Sequence, residues 1–259
     1  MYTDQLGREI ELLNLPQRII SAVPSQTELL FFLGLGAEVI GITKFCIHPA
    51  DKFKTVTKIG GTKQLNIELI KSLRPDLIIA NKEENERGQI EELMQSFPVW
   101  ISDINNLDSA LQMINGVGEL VGKQTEANDL AVNITRQFTA FKPLELTLKA
   151  AYFIWRKPYM VAGTGTFIDD MLLRCGLLNV FKQQRYPEVS REMFIAANPD
   201  MVLLSSEPYP FGQKHINEFK AILPNANVQL VDGEMFSWYG NRLLHAPGYF
   251  NQLLQDISY

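Results

Sequence analysis

Twenty residues, Lys123 to Lys142, separate two stretches of this chain that read alike, and this arrangement restricts the possible folds more than any other feature. Within them Ala127, Leu130, Ala131, Ile134, Phe138 and Phe141 recur at three- and four-residue spacing, one stripe of an amphipathic helix. Thr125, Glu126 and Asp129 suit its start, where hydroxyl and carboxylate complement free N–H groups, and Pro143 stops it. At about 1.5 Å per residue such a helix spans about 30 Å, the width of a domain. Before it stands Asn66-Ile-Glu-Leu-Ile-Lys-Ser-Leu-Arg-Pro-Asp-Leu-Ile-Ile-Ala80, and after it Ser190-Arg-Glu-Met-Phe-Ile-Ala-Ala-Asn-Pro-Asp-Met-Val-Leu-Leu204. Aligning Pro75-Asp76 with Pro199-Asp200 sets Glu68 on Glu192. Each stretch reads as a short amphipathic helix, a Pro-Asp turn and an apolar strand. A second echo pairs Glu28–Gly34 with Asp170–Gly176, each a helix ended by glycine. One duplication of this kind predicts two similar lobes and not a short-period solenoid.

The remaining segments fit that plan. Met1–Leu12 reads as a hairpin with its turn at Asp4–Gly7, Arg18–Val23 as a buried strand, Pro24–Glu28 as a loop able to cap a helix Glu28–Leu33, and Val39–Ile42 as the next strand. Helices are expected at Gln89–Ser96, Asp108–Leu120, Phe167–Cys175 and Arg242–Gln255, and further strands at Val99–Ile101, Lys149–Trp155 and Val228–Val231. Asp232–Asn241 reads as a loop. Strand alternating with helix predicts an α/β fold: two lobes, each a mainly parallel sheet flanked by helices, joined by one long rigid α-helix. The boundaries are 1–122 for the N-terminal lobe, 123–142 for the helix and 143–259 for the C-terminal lobe.

A net charge of −5 and the lack of a basic run exclude a nucleic-acid partner. No apolar stretch reaches the about 18 residues needed to span a membrane. Met1–Leu12 is polar and does not read as a secretory leader, so two locations stay open: periplasmic or cell-surface if a leader was removed, cytoplasmic otherwise. Cys46 and Cys175 fall in different lobes and are expected to remain unpaired.

Ligands of open α/β sheets bind beyond the carboxyl ends of the strands. The loops there carry Pro24, Ser25, Phe45, Cys46, His48, Asn81, Lys82, Glu83, Trp155, Arg156, Tyr159, Glu207, Tyr209, Phe211, Phe236, Trp238 and Tyr239. Aromatic walls with a few charges of both signs suit a sizeable organic ligand held between two lobes. Cys46-x-His48 offers two soft metal ligands, but no second cluster completes the usual set of four, so both are also read as pocket lining. Gly163-Thr-Gly-Thr166 opens a helix and lacks the residues of a phosphate loop. No nucleophile elbow, zinc-protease motif or telling acid pair is present, so a non-enzyme with no cofactor of its own is expected. Glu68 and Glu192, each in the first turn of a repeat helix, form a duplicated pair of acids that a two-fold-symmetric, arginine-bearing partner could read.

Pro24-Ser-Gln-Thr-Glu-Leu29, Asn66-Ile-Glu68, Leu73-Arg-Pro-Asp-Leu-Ile-Ile79 and Val189-Ser-Arg-Glu192 resemble the substrate-binding proteins of bacterial ABC importers for cobalamin and ferric siderophores. The resemblance covers nearly the whole chain and is strongest to the cobalamin receptors. It implies two α/β lobes joined by a rigid helix, a ligand between them, a monomeric receptor, and a dimeric permease contacted by Glu68 and Glu192. It also adds Tyr186 to Phe45 as an aromatic ligand contact. Thr62 and Lys63 stand where an aromatic would be expected, and Lys63, Lys82 and Arg156 could meet an anionic ligand. The expected ligand is cobalamin or another corrinoid; a ferric siderophore, haem or a metal ion is the alternative, and a cytoplasmic enzyme or cofactor-handling protein the second.

Overall fold

The computed structural model describes residues 1–145 and 148–255; positions 146, 147 and 256–259 of the expected second lobe lie outside the described residues. The chain divides into two compact units. Met1–Ile104, Asp108–Thr135 and Tyr239–Asn241 form the first, and Asn105–Leu107, Arg136–Trp238 and Arg242 onward form the second.

In the first unit a hairpin of β1 (Tyr2–Thr3) and β2 (Glu9–Ile10) precedes β3 (Ile19–Ser21), α1 (Pro24–Phe32), β4 (Val39–Ile42), α2 (Ala50–Thr55) and β5 (Thr57–Lys58). A second hairpin, β6 (Gly60–Gly61) with β7 (Gln64–Leu65), leads to α3 (Ile67–Leu73), β8 (Leu77–Asn81), α4 (Arg87–Met94), β9 (Val99–Ser102), α5 (Leu107–Leu120) and α6 (Gln124–Ala140). The sheet has the order β5-β4-β3-β8-β9 and is parallel throughout. Parallel strands are covered on both faces, which is why these are continuous apolar runs; Ile20, Ile78 and Val99 pack with Ile70, Ile90 and Leu93.

The second unit runs β10 (Leu148–Trp155), β11 (Tyr159–Val161), α7 (Phe167–Arg174), β12 (Leu177–Asn179), β13 (Glu188–Val189), α8 (Arg191–Ala197) and β14 (Met201–Ser205). α9 (Gln213–Ile222), β15 (Asn227–Val231), α10 (Gly233–Ser237), a 3-10 turn at Asn241–Leu244 and α11 (Ala246–Gln255) follow. Its sheet has the order β13-β11-β10-β14-β15, with β12 paired to the first half of β10. β12, β14 and β15 are parallel to their neighbours, while β11 and β13 are antiparallel. Phe153 sits at the centre of an aromatic core, 4.7 Å from Phe219 and 5.5 Å from Phe194 between ring centroids.

The duplication has a physical basis in both units. Asn66 and Ser190 cap α3 and α8 through their side chains, accepting from the N–H groups of Leu69 and Met193. Arg74 and Asn198 end those helices in the left-handed region, at φ 48° and 43°. The following Pro-Asp locks the helix to the central strand. Asp76 accepts from the N–H groups of Gln17 and Arg18 at 2.7 and 2.9 Å, and Asp200 accepts from Lys149 N–H at 2.8 Å. The second echo has a similar cause: Gly34 and Gly176 follow α1 and α7 at φ 87° and 79°, which only glycine adopts without strain.

Several boundaries differ from the sequence expectation. The helix expected at Lys123–Lys142 is Gln124–Ala140, because the residue before Pro143 is forced out of the helical region. Its stripe holds: Ala127, Leu130, Ala131 and Ile134 are buried. Pro24 and Ser25 belong not to a loop but to the first turn of α1, since proline at the first helical position already has a helical φ. No side chain caps that helix; the Thr27 hydroxyl donates to Val23 O instead. Asp232–Asn241 contains α10, started by Asp232 accepting from Glu234 N–H, and the expected closing helix is split at His245. The short α2 and the strands β11 to β13 carry too few residues for a periodicity to show. No helix among the described residues is long and apolar enough to cross a membrane.

Candidate functional site

In the first unit the strand-end loops are tied together by buried amides and hydroxyls. Asn85 donates to Ala22 O at 3.1 Å and Thr62 O at 3.0 Å, and its Oδ1 accepts from Asn81 N–H at 2.8 Å. Asn81 accepts from the N–H groups of Glu83 and Glu84 and donates to Ser102 Oγ. Gln26 also donates to Ser102 Oγ. One residue thus joins the loops after β3, within the β6–β7 hairpin, and after β8.

On this frame Phe45 is 51% exposed, with Lys44 Nζ 5.1 Å from its ring centroid. A Cβ at Gly61 would lie 3.2 Å from the Phe45 ring, so the hairpin glycine lets the aromatic lie against the backbone. Ile47 is also exposed. Cys46 turns the other way. It is fully buried, its sulfur 3.1 Å from the hydroxyls of both Thr27 and Thr43. Burial raises its pKa, although the threonine hydroxyls oppose that rise. Cys46 packs against the two threonines, and His48, two positions on, is half-buried. Among the described residues no group of three His, Cys, Asp or Glu side chains is placed to hold a metal. Both cysteines are free.

The expected free cations are engaged. Lys63 donates to Glu83 O at 2.6 Å, and Lys82 pairs with Asp103 at 2.6 Å. Glu83 is half-buried. Pro24 and Ser25 are buried; Ser25 Oγ has no hydrogen-bond partner among the described residues. Tyr239 is buried and donates to Glu84 Oε1 at 2.5 Å.

In the second unit Trp155 is 39% exposed and meets Tyr209 edge-on at 5.5 Å. Arg156 and Tyr159 both bind Glu218, which sequence reasoning missed because it lies 62 and 59 positions away. Burial alone would raise Glu218, but Arg156 and Tyr159 outweigh it and hold the carboxyl below the ordinary range. Burial and Glu218 together push the Tyr159 phenol up to about 12. Tyr186 is half-buried in a loop held by backbone bonds between Gly163–Thr164 and Gln183–Arg185. Glu207 accepts from Ser237 Oγ at 2.9 Å and Trp238 Nε1 at 2.8 Å, and burial raises its pKa despite those donors.

Not every expected aromatic faces out. Phe236 is fully buried, tilted on Phe250 at 4.7 Å and Tyr152 at 5.1 Å. Phe211 and Trp238 are buried as well. For Phe236 and Trp238 the cause is local, because α10 folds the segment after β15 onto the core, while Phe211 packs edge-on against His215 and Phe219 of α9. Of the expected aromatics Phe45 in the first unit and Trp155 in the second are exposed, whereas Tyr159, Tyr186 and Tyr209 are half-buried, Tyr159 and Tyr209 packing against the core of the second unit. His215 caps α9 and is buried. Asn85 carried a faint signal, as the second asparagine of Asn81–Asn85 beyond a strand.

Glu68 and Glu192 occupy the second helical position of α3 and α8, and both are exposed. Glu68 lies 3.5 Å from Lys71 Nζ. The Ser190 hydroxyl holds the Glu192 carboxyl below the ordinary range, so it is ionised at neutral pH.

The sequence matches the Periplasmic binding protein family over residues 19–221. A vitamin B12-binding protein of Pectobacterium atrosepticum is 26% identical, over 94% of this chain and 90% of that protein. Among solved structures, the periplasmic vitamin B12 binding protein of Vibrio cholerae superposes with a TM-score of 0.77 at 22% identity, covering 94% of this chain and 98% of that one. The periplasmic heme-binding protein of Roseiflexus sp. RS-1 gives 0.79 at 21% identity, over 94% and 99%. At those identities both structures attest the fold alone.

Proposed function

The chain belongs to the periplasmic binding protein family, and from that premise we propose that it is the solute receptor of an ABC importer, capturing cobalamin or another corrinoid and delivering it to the permease. One observation carries the ligand class: similarity along nearly the whole chain to proteins named for binding vitamin B12. The exposed and half-buried aromatics support it. A corrin is a broad macrocycle with neutral amide arms, and Phe45, Trp155, Tyr186 and Tyr209 offer apolar faces of matching character. An anionic ferric siderophore or haem would call for uncommitted cations. Lys82 and Arg156 are ion-paired and Lys63 is bound to two backbone carbonyls, which favours the neutral ligand.

The family is one of solute-binding proteins, which leaves the enzyme reading without support and favours a periplasmic site of action. Glu68 and Glu192, one in each unit, are the groups proposed to meet arginines of a dimeric permease.

Titration with cyanocobalamin, followed by tryptophan emission, tests the reading. Trp100 and Trp238 are buried, so Trp155 dominates the response to a ligand at the aromatic loops. Saturable quenching is expected, cut by more than half in Trp155→Phe, with affinity weakened roughly tenfold or more in Phe45→Ala. Undiminished quenching in Trp155→Phe would remove Trp155 from the site.

A further inference from the structure

We propose that His215 is a positioning residue for the Trp155–Tyr209 pair, holding it in place while its imidazole is neutral and releasing it on protonation. The proposal rests on the reading of that pair as ligand contacts.

His215 is 2% exposed and stands third in α9. Its Nδ1 accepts the Gly212 N–H at 2.9 Å, so the third residue of the helix satisfies the backbone donor of the residue that precedes it. Because Nδ1 accepts, the proton of the neutral ring is on Nε2, where it donates to the Tyr209 hydroxyl at 3.3 Å. The ring also lies edge-on to Tyr209 at 5.4 Å and Phe211 at 5.3 Å. Tyr209 in turn meets Trp155, whose Nε1–H is fixed on Lys157 O. A continuous line of contacts therefore runs from the helix start through His215 and Tyr209 to an exposed tryptophan.

Protonation breaks the line at a definite atom. A proton on Nδ1 would point at the Gly212 N–H, donor against donor, and the helix start would lose its acceptor. The surrounding charges oppose the cation. Lys214 lies on the same helix, and Arg156 approaches from the β10–β11 turn. Among the described residues the carboxylate acting on it is Glu218 on α9, which is committed to Arg156 and to the Tyr159 hydroxyl from β11. From the 206–212 segment the neighbour is the neutral Tyr209 phenol. Burial first, then Lys214 and Arg156, lower the pKa of His215 below its ordinary value. A histidine so lowered contributes stability that is complete above about pH 6.5 and lost as pH falls toward its folded value.

The test compares wild type, His215→Gln and His215→Ala between about pH 7.5 and about pH 5. A glutamine at this helical position can accept the same N–H without titrating. The readouts are tryptophan emission of the ligand-free protein and affinity for cyanocobalamin. Wild type is expected to shift its emission and lose about tenfold in affinity across that range, His215→Gln to stay flat, and His215→Ala to be weakened at every pH. A wild-type pH profile retained in His215→Gln overturns the proposal, as does a flat wild-type profile. If cyanocobalamin does not bind wild type even at about pH 7.5, the corrinoid reading fails, and the ligand-free emission profiles still decide the role of His215.

Discussion

Reversing both Glu68 and Glu192 to lysine is expected to abolish stimulation of the permease while leaving ligand affinity unchanged. Both carboxylates project from the first turns of α3 and α8, and Glu68 has 87% of its side chain exposed. Each helix keeps its cap, because Asn66 and Ser190 accept from Leu69 and Met193 whatever residue occupies the second position. The fold therefore tolerates lysine. The proposed docking would not, because its carboxylate–arginine contact would become a pair of like charges. Each single reversal should weaken the stimulating interaction roughly tenfold or more, and the double variant should behave as if no receptor were present. ATP hydrolysis by the reconstituted permease, with receptor added at increasing concentration, reads this directly. Full stimulation by the double variant would contradict the docking assignment.

The second large effect is on stability. Asn85→Ala removes the side chain that satisfies Ala22 O, Thr62 O and Asn81 N–H, all beneath the strand-end loops. Buried backbone groups left without partners cost about 1–3 kcal/mol each, so a loss of about 3 kcal/mol or more is expected for the first unit. That corresponds to a fall of about 6–12 °C in the melting temperature of its transition. Phe45 stands on the same loops, so ligand affinity should fall with it. Calorimetry of the ligand-free variant checks the size; a decrease under about 2 °C would mean that the three loops are held by something else.

What the sequence made legible is what repeats or recurs periodically. Pro75-Asp76 and Pro199-Asp200 are visible as text because the same job, clamping the start of a central strand, is done twice. The stripe of α6 is visible because four buried residues fall on one face. The site resisted reading for two physical reasons. Adjacent residues in an irregular turn have no period to betray direction, so nothing in Phe45-Cys46 says that the ring faces out and the thiol in. The second reason is pairing at a distance: Arg156 looked available for an anionic ligand until folding brought Glu218 to it, 62 positions away. Aromatic density after the strands carried no information on orientation, as the buried Phe236 and Trp238 show.

The measurement that bears most directly on the whole account is isothermal titration of the purified protein with cyanocobalamin, haemin and a ferric hydroxamate in parallel. The account predicts a single saturable site for cyanocobalamin, with a heat-capacity change of the sign expected for apolar burial, and no saturable binding of the other two. Silence with cyanocobalamin beside saturable binding of haemin or the ferric chelate would contradict it.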